Sequence, residues 1–304
     1  MTALKRRRLR SSLEYTALAA PALIYLLLFH YLPMGGVVMA FKNYKFNRGI
    51  FGSPWVGFRN FDYLFTSQDF TLLMRNTIGY SVAFVVTTTV FGVLTAVLLY
   101  EVSNRSAVKY YQTTMFLPRF LSWVIVGFFT WLLLNPVIGV FNKLLAAVGV
   151  EPVSWYTERR YWPSILILVN LWKWIGVTML FYYAALTGID RGLYEAADMD
   201  GAGRLRKMTS ISLPHLTPLI TILVILSLGN LIKGDFGLFW QIPRQVGYLF
   251  PVTDVIETYV FRGVVSGDMN IAAAVGLFQS AAGFFLIVVA NLVVRRIAPD
   301  KALF

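Results

Sequence analysis

Residues 195–214 read EAADMDGAGRLRKMTSISLP, a polar, glycine-punctuated segment between two long apolar runs. The chain around it has 304 residues, of which 57% are hydrophobic and 14% charged, with a mean hydropathy of +0.64. That balance is too apolar for a soluble domain and identifies an integral membrane protein. A polar run of this length therefore lies outside the bilayer, and its own helical pattern calls for a partner.

Working outward from it, windows of roughly 20 apolar residues, the length that crosses the hydrocarbon core, fall at about 15–41, 71–100, 113–135, 162–187, 213–233 and 271–294. The reading is an all-α polytopic membrane protein with six transmembrane helices. Residues 1–14 form a basic N-terminus, 15–304 the membrane domain, and 188–212 a loop within it. The fifth span is interrupted at its outer end by Gly229, Asn230, Lys233, Gly234 and Asp235, where a helix can unwind. Lys5, Arg6, Arg7, Arg8 and Arg10 precede the first run as in a signal peptide. That run exceeds a secretory core and has no clear small-residue cleavage site, so it reads as a retained first span.

Orientation follows from the positive charges. The N-terminus, residues 101–112, residues 188–212 and the C-terminal tail hold about 14 of the 27 Lys and Arg in roughly 60 positions, which places both termini and the 195–214 segment in the cytoplasm. Segments 42–70, 136–161 and 234–270 then lie outside. They are rich in aromatics, Gly and Pro, consistent with interfacial belts, and are long enough to form a cap that receives an external partner.

Within the polar segment, Gly188 ends the fourth span and Asp190 caps a short helix through Leu193, Tyr194, Glu195, Ala196, Ala197 and Met199. Gly201 and Gly203 permit a sharp turn. A second short helix runs through Leu205, Met208 and Ile211 to Pro214, at the start of the fifth span, where a missing N–H costs little. Leu193, Ala196, Ala197 and Met199 offer an apolar surface to a groove on another protein, and Glu195 offers a charge.

The spacing Glu195-Ala196-Ala197, three residues, Gly201, nine residues, Ile211-x-Leu213-Pro214 is similar to the EAA loop of permease subunits in binding-protein-dependent ABC importers. The segment 29–65, FHYLPMGGVVMAFKNYKFNRGIFGSPWVGFRNFDYLF, and the stretches Val255-Ile-Glu-Thr-Tyr-Val-Phe-Arg262 and Ala274-Val-Gly-Leu-Phe-Gln-Ser280 resemble the LplB-like oligosaccharide group of that family, with an alginate-type importer as one candidate. The resemblance implies a type I importer permease in the bacterial inner membrane. Glu195, Ala196, Ala197, Asp200, Gly201, Leu213 and Pro214 would couple it to an ATPase. Its partners would be a second, related permease subunit, two ABC ATPase subunits that hold ATP and Mg, and an extracytoplasmic solute-binding protein, with lipid around it.

Other classes find little support in the residues. With no cysteines and only two histidines, His30 and His215, metal and thiol chemistry are not expected. The basic residues sit at the ends of apolar runs, as beside anionic lipid, and no nucleic-acid motif accompanies them. Arg206 stands where a phosphate loop needs its second Gly before Lys207, so the chain is read as a non-catalytic subunit without a cofactor of its own. Scarce acidic residues in the spans and the lack of a clear repeat disfavour the alternative, an ion-gradient-driven secondary transporter.

For the cargo path, polar groups at membrane depth are the candidates: Asn170, Trp172, Lys173 and Trp174 in the fourth span, Asn230, Lys233, Asp235, Phe239 and Trp240 after the fifth, and Gln279 in the sixth. Amides and cations beside aromatic faces suit a sugar, and Lys173 and Lys233 would favour an anionic, uronate-bearing one. Interhelical hydrogen bonds and interfacial anchoring explain any one of these residues equally well.

Overall fold

A computed structural model describes residues 3–297. Beyond one isolated antiparallel bridge, Lys42 with Trp55, the described residues form no extended pairing, and the fold is helical. Among the described residues five helices are long and apolar enough to cross a membrane: α1 (Glu14–Phe41), α2 (Gln68–Tyr100), α5 (Arg159–Thr187), α7 (Arg204–Leu228) and α10, whose apolar part is Met269–Leu292. A further apolar pair, α3 (Arg105–Phe120) and α4 (Trp123–Leu133), is bent by 100° and makes a sixth crossing if the two pieces count as one span. Three shorter helices complete the set used below: α6 (Arg191–Met199), α8 (Phe236–Gln241) and α9 (Ile256–Ser266).

The third span departs from its expected form. A single helix over 113–135 is replaced by two pieces, because Pro118 closes α3 in a 3-10 turn and Ser122 starts α4 afresh as its N-cap, accepting from Ile125 N at 3.3 Å. The expected separate helix before Pro214 is also corrected: α7 runs unbroken from Arg204, and the chain widens to a π-turn over Met208–Ser212 immediately before Leu213-Pro214. The same widening, Leu27–Tyr31, precedes Leu32-Pro33 in α1. In both places the extra residue relieves the clash between the proline ring and the carbonyl one turn earlier, which otherwise costs about 3 kcal/mol. The fifth span ends at Leu228 with a turn after it, as its glycine and polar residues foretell.

Two compact units are distinguished among the described residues, one of 3–66 with 263–277 and one of 67–262 with 278–297. In the first, Leu23, Tyr25, Phe29 and Leu32 of α1 are exposed, the pattern of a helix whose surroundings are apolar on every side. After α1 the chain folds back on itself. Lys42 Nζ donates to the carbonyls of Ile50 (3.0 Å) and Phe51 (2.9 Å), Asn60 donates to those of Ala40 and Lys42, and Phe41 meets Trp55, Phe58 and Phe61. The basic cluster Lys5–Arg10 lies on helical backbone whose side chains are outside the described residues, as is Lys301 of the tail.

In the second unit, α2 and α5 lie side by side. Between lipid-embedded helices the hydrophobic effect adds little, so backbone approach and hydrogen bonds decide packing. Gly176 of α5 shows it: a Cβ there would collide with the carbonyl of Met115, so only glycine lets α3 come this close. One apolar core joins Val93, Ala96 and Val97 to Met179, Tyr182, Leu186 and Leu216. A second gathers Tyr80, Val126, Trp162, Leu166, Leu238, Phe239 and Val255.

Candidate functional site

The polar island forms a projecting surface held at its base. Asp190 caps α6, accepting from Gly192 N at 2.9 Å, and the helix ends where Gly201 takes φ +73°, with Ala202 N closing on the carbonyl of Ala197 at 2.9 Å. Tyr194 points inward. Its ring meets Tyr100 and its hydroxyl lies 2.9 Å from Ser212 Oγ on α7. A second tie is the Lys207–Asp198 pair at 2.7 Å.

With Tyr194 as anchor, the rest of α6 faces away. Glu195, Ala196 and Asp200 are exposed, Ala197 is half-buried, and Leu193, Met199 and Leu205 leave 44, 88 and 77% of their surface uncovered. An apolar patch of this kind beside a carboxylate, on a short rigid helix, has the form of a docking surface. Leu213 and Pro214 lie inside α7, directly after the Met208–Ser212 π-turn.

The ten residues considered for a cargo path fall into several places. Asn170 and Lys173 are buried on α5, and Lys173 Nζ donates to the carbonyls of Pro118 (3.4 Å) and Leu121, with the Trp123 ring 4.6 Å away. Both carbonyls stand at the bend between α3 and α4, where that of Pro118 also accepts from Leu121 N at 3.2 Å, so this ammonium is occupied. Next to it Trp174 stacks under the Arg119 guanidinium at 4.3 Å. Asp235 caps α8 through Leu238 N and accepts from Trp123 Nε1 at 3.0 Å, tying α8 to α4.

Trp172 faces elsewhere, into an apolar cavity of about 650 Å³ with Leu121, Phe129, Phe141 and Trp155. Phe239 is buried in the second core against Tyr80, at 4.9 Å between rings, and offers no open face. Trp240 stacks on Phe236 and lines a cleft of about 330 Å³ with Val124, Phe128, Gln241, Arg244 and Gln245. Asn230 is exposed on the turn after α7, and Lys233, a few residues further on, lines a third cavity of about 400 Å³ with Gln279 and Glu257.

Sequence reasoning passed over Glu257, which organises that third cavity. Its Oε1 accepts from Gly234 N and Gln279 Nε2, both at 2.6 Å, while its buried Oε2 has no partner. Burial pushes this carboxyl above its ordinary range. Arg244, Gln245 and Arg262 were passed over too. Arg262 pairs with Asp254 and donates to Gln245 Oε1 at 3.2 Å. All sit in a stretch that reads as an outer connection, and the one hint is the density of polar residues there. Among the described residues no cluster of three or more His, Asp or Glu is placed to hold a metal.

Five apolar helices among the described residues, a bent apolar pair and a polar projection on one loop define a polytopic α-helical membrane protein. The chain belongs to the family described as binding-protein-dependent transport system inner membrane component, whose profile matches residues 88–300. It is 36% identical over 284 residues to the polygalacturonan/rhamnogalacturonan transport system permease protein YteP of Bacillus subtilis, covering 92% of this chain and 87% of that one. Protein LplB of the same organism is 35% identical over 280 residues, covering 92% and 87%. Two solved structures align along nearly the whole chain, each at 33% identity. A bacterial ABC transporter involved in the import of the acidic polysaccharide alginate aligns with a TM-score of 0.86, covering 98% of this chain and 100% of that one. The alginate transporter in complex with an alginate pentasaccharide-bound periplasmic protein gives 0.85, covering 97% and 98%. The permease class read from the EAA spacing, and the oligosaccharide group read from residues 29–65, 255–262 and 274–280, agree with these relatives.

Proposed function

We propose that the chain is the non-catalytic translocation subunit of an ATP-driven ABC importer that passes an acidic oligosaccharide into the cytoplasm. The observation that carries it is α6: anchored through Tyr194 and Lys207, it presents Leu193, Glu195, Ala196 and Met199 outward beside the Gly201 turn. An ATPase subunit that moves on binding ATP would carry this rigid helix with it, and through Tyr194 and Ser212 would move α7. The energy is the nucleotide's, since the equilibrium between two membrane conformations shifts only as far as the partner binds them differently. ATP and Mg would sit on two such ATPase subunits.

The family's description supports dependence on a solute-binding protein, and the alginate relative's complex with its periplasmic protein supports delivery from outside. A second, related permease subunit would complete the path, and both termini and α6 would lie in the cytoplasm. Relatives named for polygalacturonan, rhamnogalacturonan and alginate all point to uronate-bearing cargo.

The docking reading is tested by co-purifying the ATPase with the tagged chain from membranes. Glu195→Ala and Gly201→Leu are expected to insert normally and to lower recovered ATPase about tenfold, equivalent to about 1.4 kcal/mol of docking. Undiminished recovery with both variants would remove α6 from the interface.

A further inference from the structure

The cleft between α4 and α8 holds a cation with no acidic partner. Arg244 is exposed, stands 4.9 Å from the Trp131 ring, and among the described residues has no carboxylate within 4 Å. Nearby Arg262, by contrast, is neutralised by Asp254. A guanidinium left with only an aromatic face is free to take a planar anion in a two-pronged bond.

The backbone at this point is unusual as well. Arg244 and Gln245 both take the left-handed conformation, φ +56° and +52°, and are the only such non-glycine residues among those described. The turn closes through Val246 N on the carbonyl of Pro243 at 3.3 Å. Two successive left-handed residues are the pattern of a tight turn that favours Asn and Gly, and Arg gains nothing locally from it. What holds the turn is Gln245, whose amide donates to the carbonyl of Phe239 at 3.3 Å and accepts from Arg262 at 3.2 Å. Such strain, held by its surroundings and placing a charged side chain over a cleft, is characteristic of ligand sites.

The remaining lining fits the same ligand. Trp240 and Phe128 are aromatic faces, and Gln241 adds an amide. A pyranose ring offers C–H groups on its face and hydroxyls at its edge, and a uronate adds one carboxylate. At about 330 Å³ the cleft has room for one or two sugar units. Lys173 is occupied by backbone carbonyls and Lys233 lines a different cavity, so Arg244 is the cation that lines this cleft.

We infer that the cleft lined by Val124, Phe128, Trp240, Gln241 and Arg244 is a subsite for one uronate unit of the cargo, with Arg244 binding its carboxylate. This assignment rests on the acidic-oligosaccharide reading above and adds the residue that selects for charge.

The test is the affinity of the assembled importer, in lipid nanodiscs, for trigalacturonate and for its fully methyl-esterified form, which keeps size and loses charge. Arg244→Gln and Arg244→Gly are expected to weaken binding of the acid about tenfold or more, Arg244→Lys less. The ester should bind the unaltered protein about as weakly as the acid binds Arg244→Gln. Arg244→Gly also relieves the left-handed strain, so its thermal unfolding should fall at or above that of the unaltered protein, separating loss of binding from loss of fold. Acid binding within twofold of the unaltered protein in both variants would overturn the subsite, as would equal weakening of acid and ester. If the unaltered importer binds and imports trigalacturonate while the Arg244 variants do the same, only the subsite fails. If it takes neutral oligosaccharides and refuses the acid, the acidic-cargo reading fails with it.

Discussion

Lys173 and Glu257 both carry ionisable groups into the interior and are accommodated in opposite ways. Lys173 is surrounded by acceptors, the carbonyls of Pro118 and Leu121. Replacing it with Met removes the donor to the Leu121 carbonyl, while that of Pro118 keeps its bond from Leu121 N, and a loss of about 1–3 kcal/mol is expected in the unfolding of the detergent-purified protein. Glu257 has donors on one oxygen only, and burial holds its proton to a higher pH in the folded than in the unfolded chain, where the ordinary value is 4.5. Its folded form is therefore favoured as pH falls from above the raised value towards 4.5, and carries a buried charge above it. The melting temperature should rise on acidification across that window, and Glu257→Gln, which keeps the oxygen facing Gly234 and Gln279, should flatten the dependence. An unchanged pH profile in Glu257→Gln would assign it to another group. Lys173 stands out in the sequence as a charge at membrane depth, but its partners do not, because they are backbone carbonyls at a bend. Glu257 and Arg244 were hidden for a different reason: hydropathy reads 234–270 as a connection and says nothing of which polar residues there converge.

Among the elements, α6 was the most legible. Its cap at Asp190, its apolar positions and its glycine exit are all local features, and local features survive in any fold that keeps the loop polar. The Gly201 turn makes a graded expectation possible. No atom lies within 4 Å of where a Cβ would stand, so a substitution there is opposed by the backbone conformation alone. Asn, which tolerates the left-handed region, should retain ATPase recovery better than Val, whose branched side chain costs about 1–2 kcal/mol more there. Equal loss with Asn and Val would mean that the turn's shape is not what the partner reads. The bend between α3 and α4 was not legible, since hydropathy runs continuously through Pro118 and Ser122 and measures apolarity without direction. The π-turns before Leu32-Pro33 and Leu213-Pro214 were half legible: each proline announces a disturbance, but whether the chain breaks or widens depends on neighbours that sequence leaves unplaced.

Taken whole, the chain has apolar helices long enough to span a membrane, and two roles are proposed beside them: force received on α6 and cargo met at the Arg244 cleft. The sequence carries no phosphate-loop motif, in keeping with the proposal that a separate chain supplies the force. Membership of the binding-protein-dependent family agrees with this division of labour. The central claim is tested most directly by uptake of labelled trigalacturonate into proteoliposomes holding the assembled importer, with its solute-binding protein outside and ATP sealed within. Accumulation that requires both ATP and the binding protein, and that falls with Glu195→Ala, is expected. Accumulation without ATP, driven by an imposed ion gradient, would contradict the account.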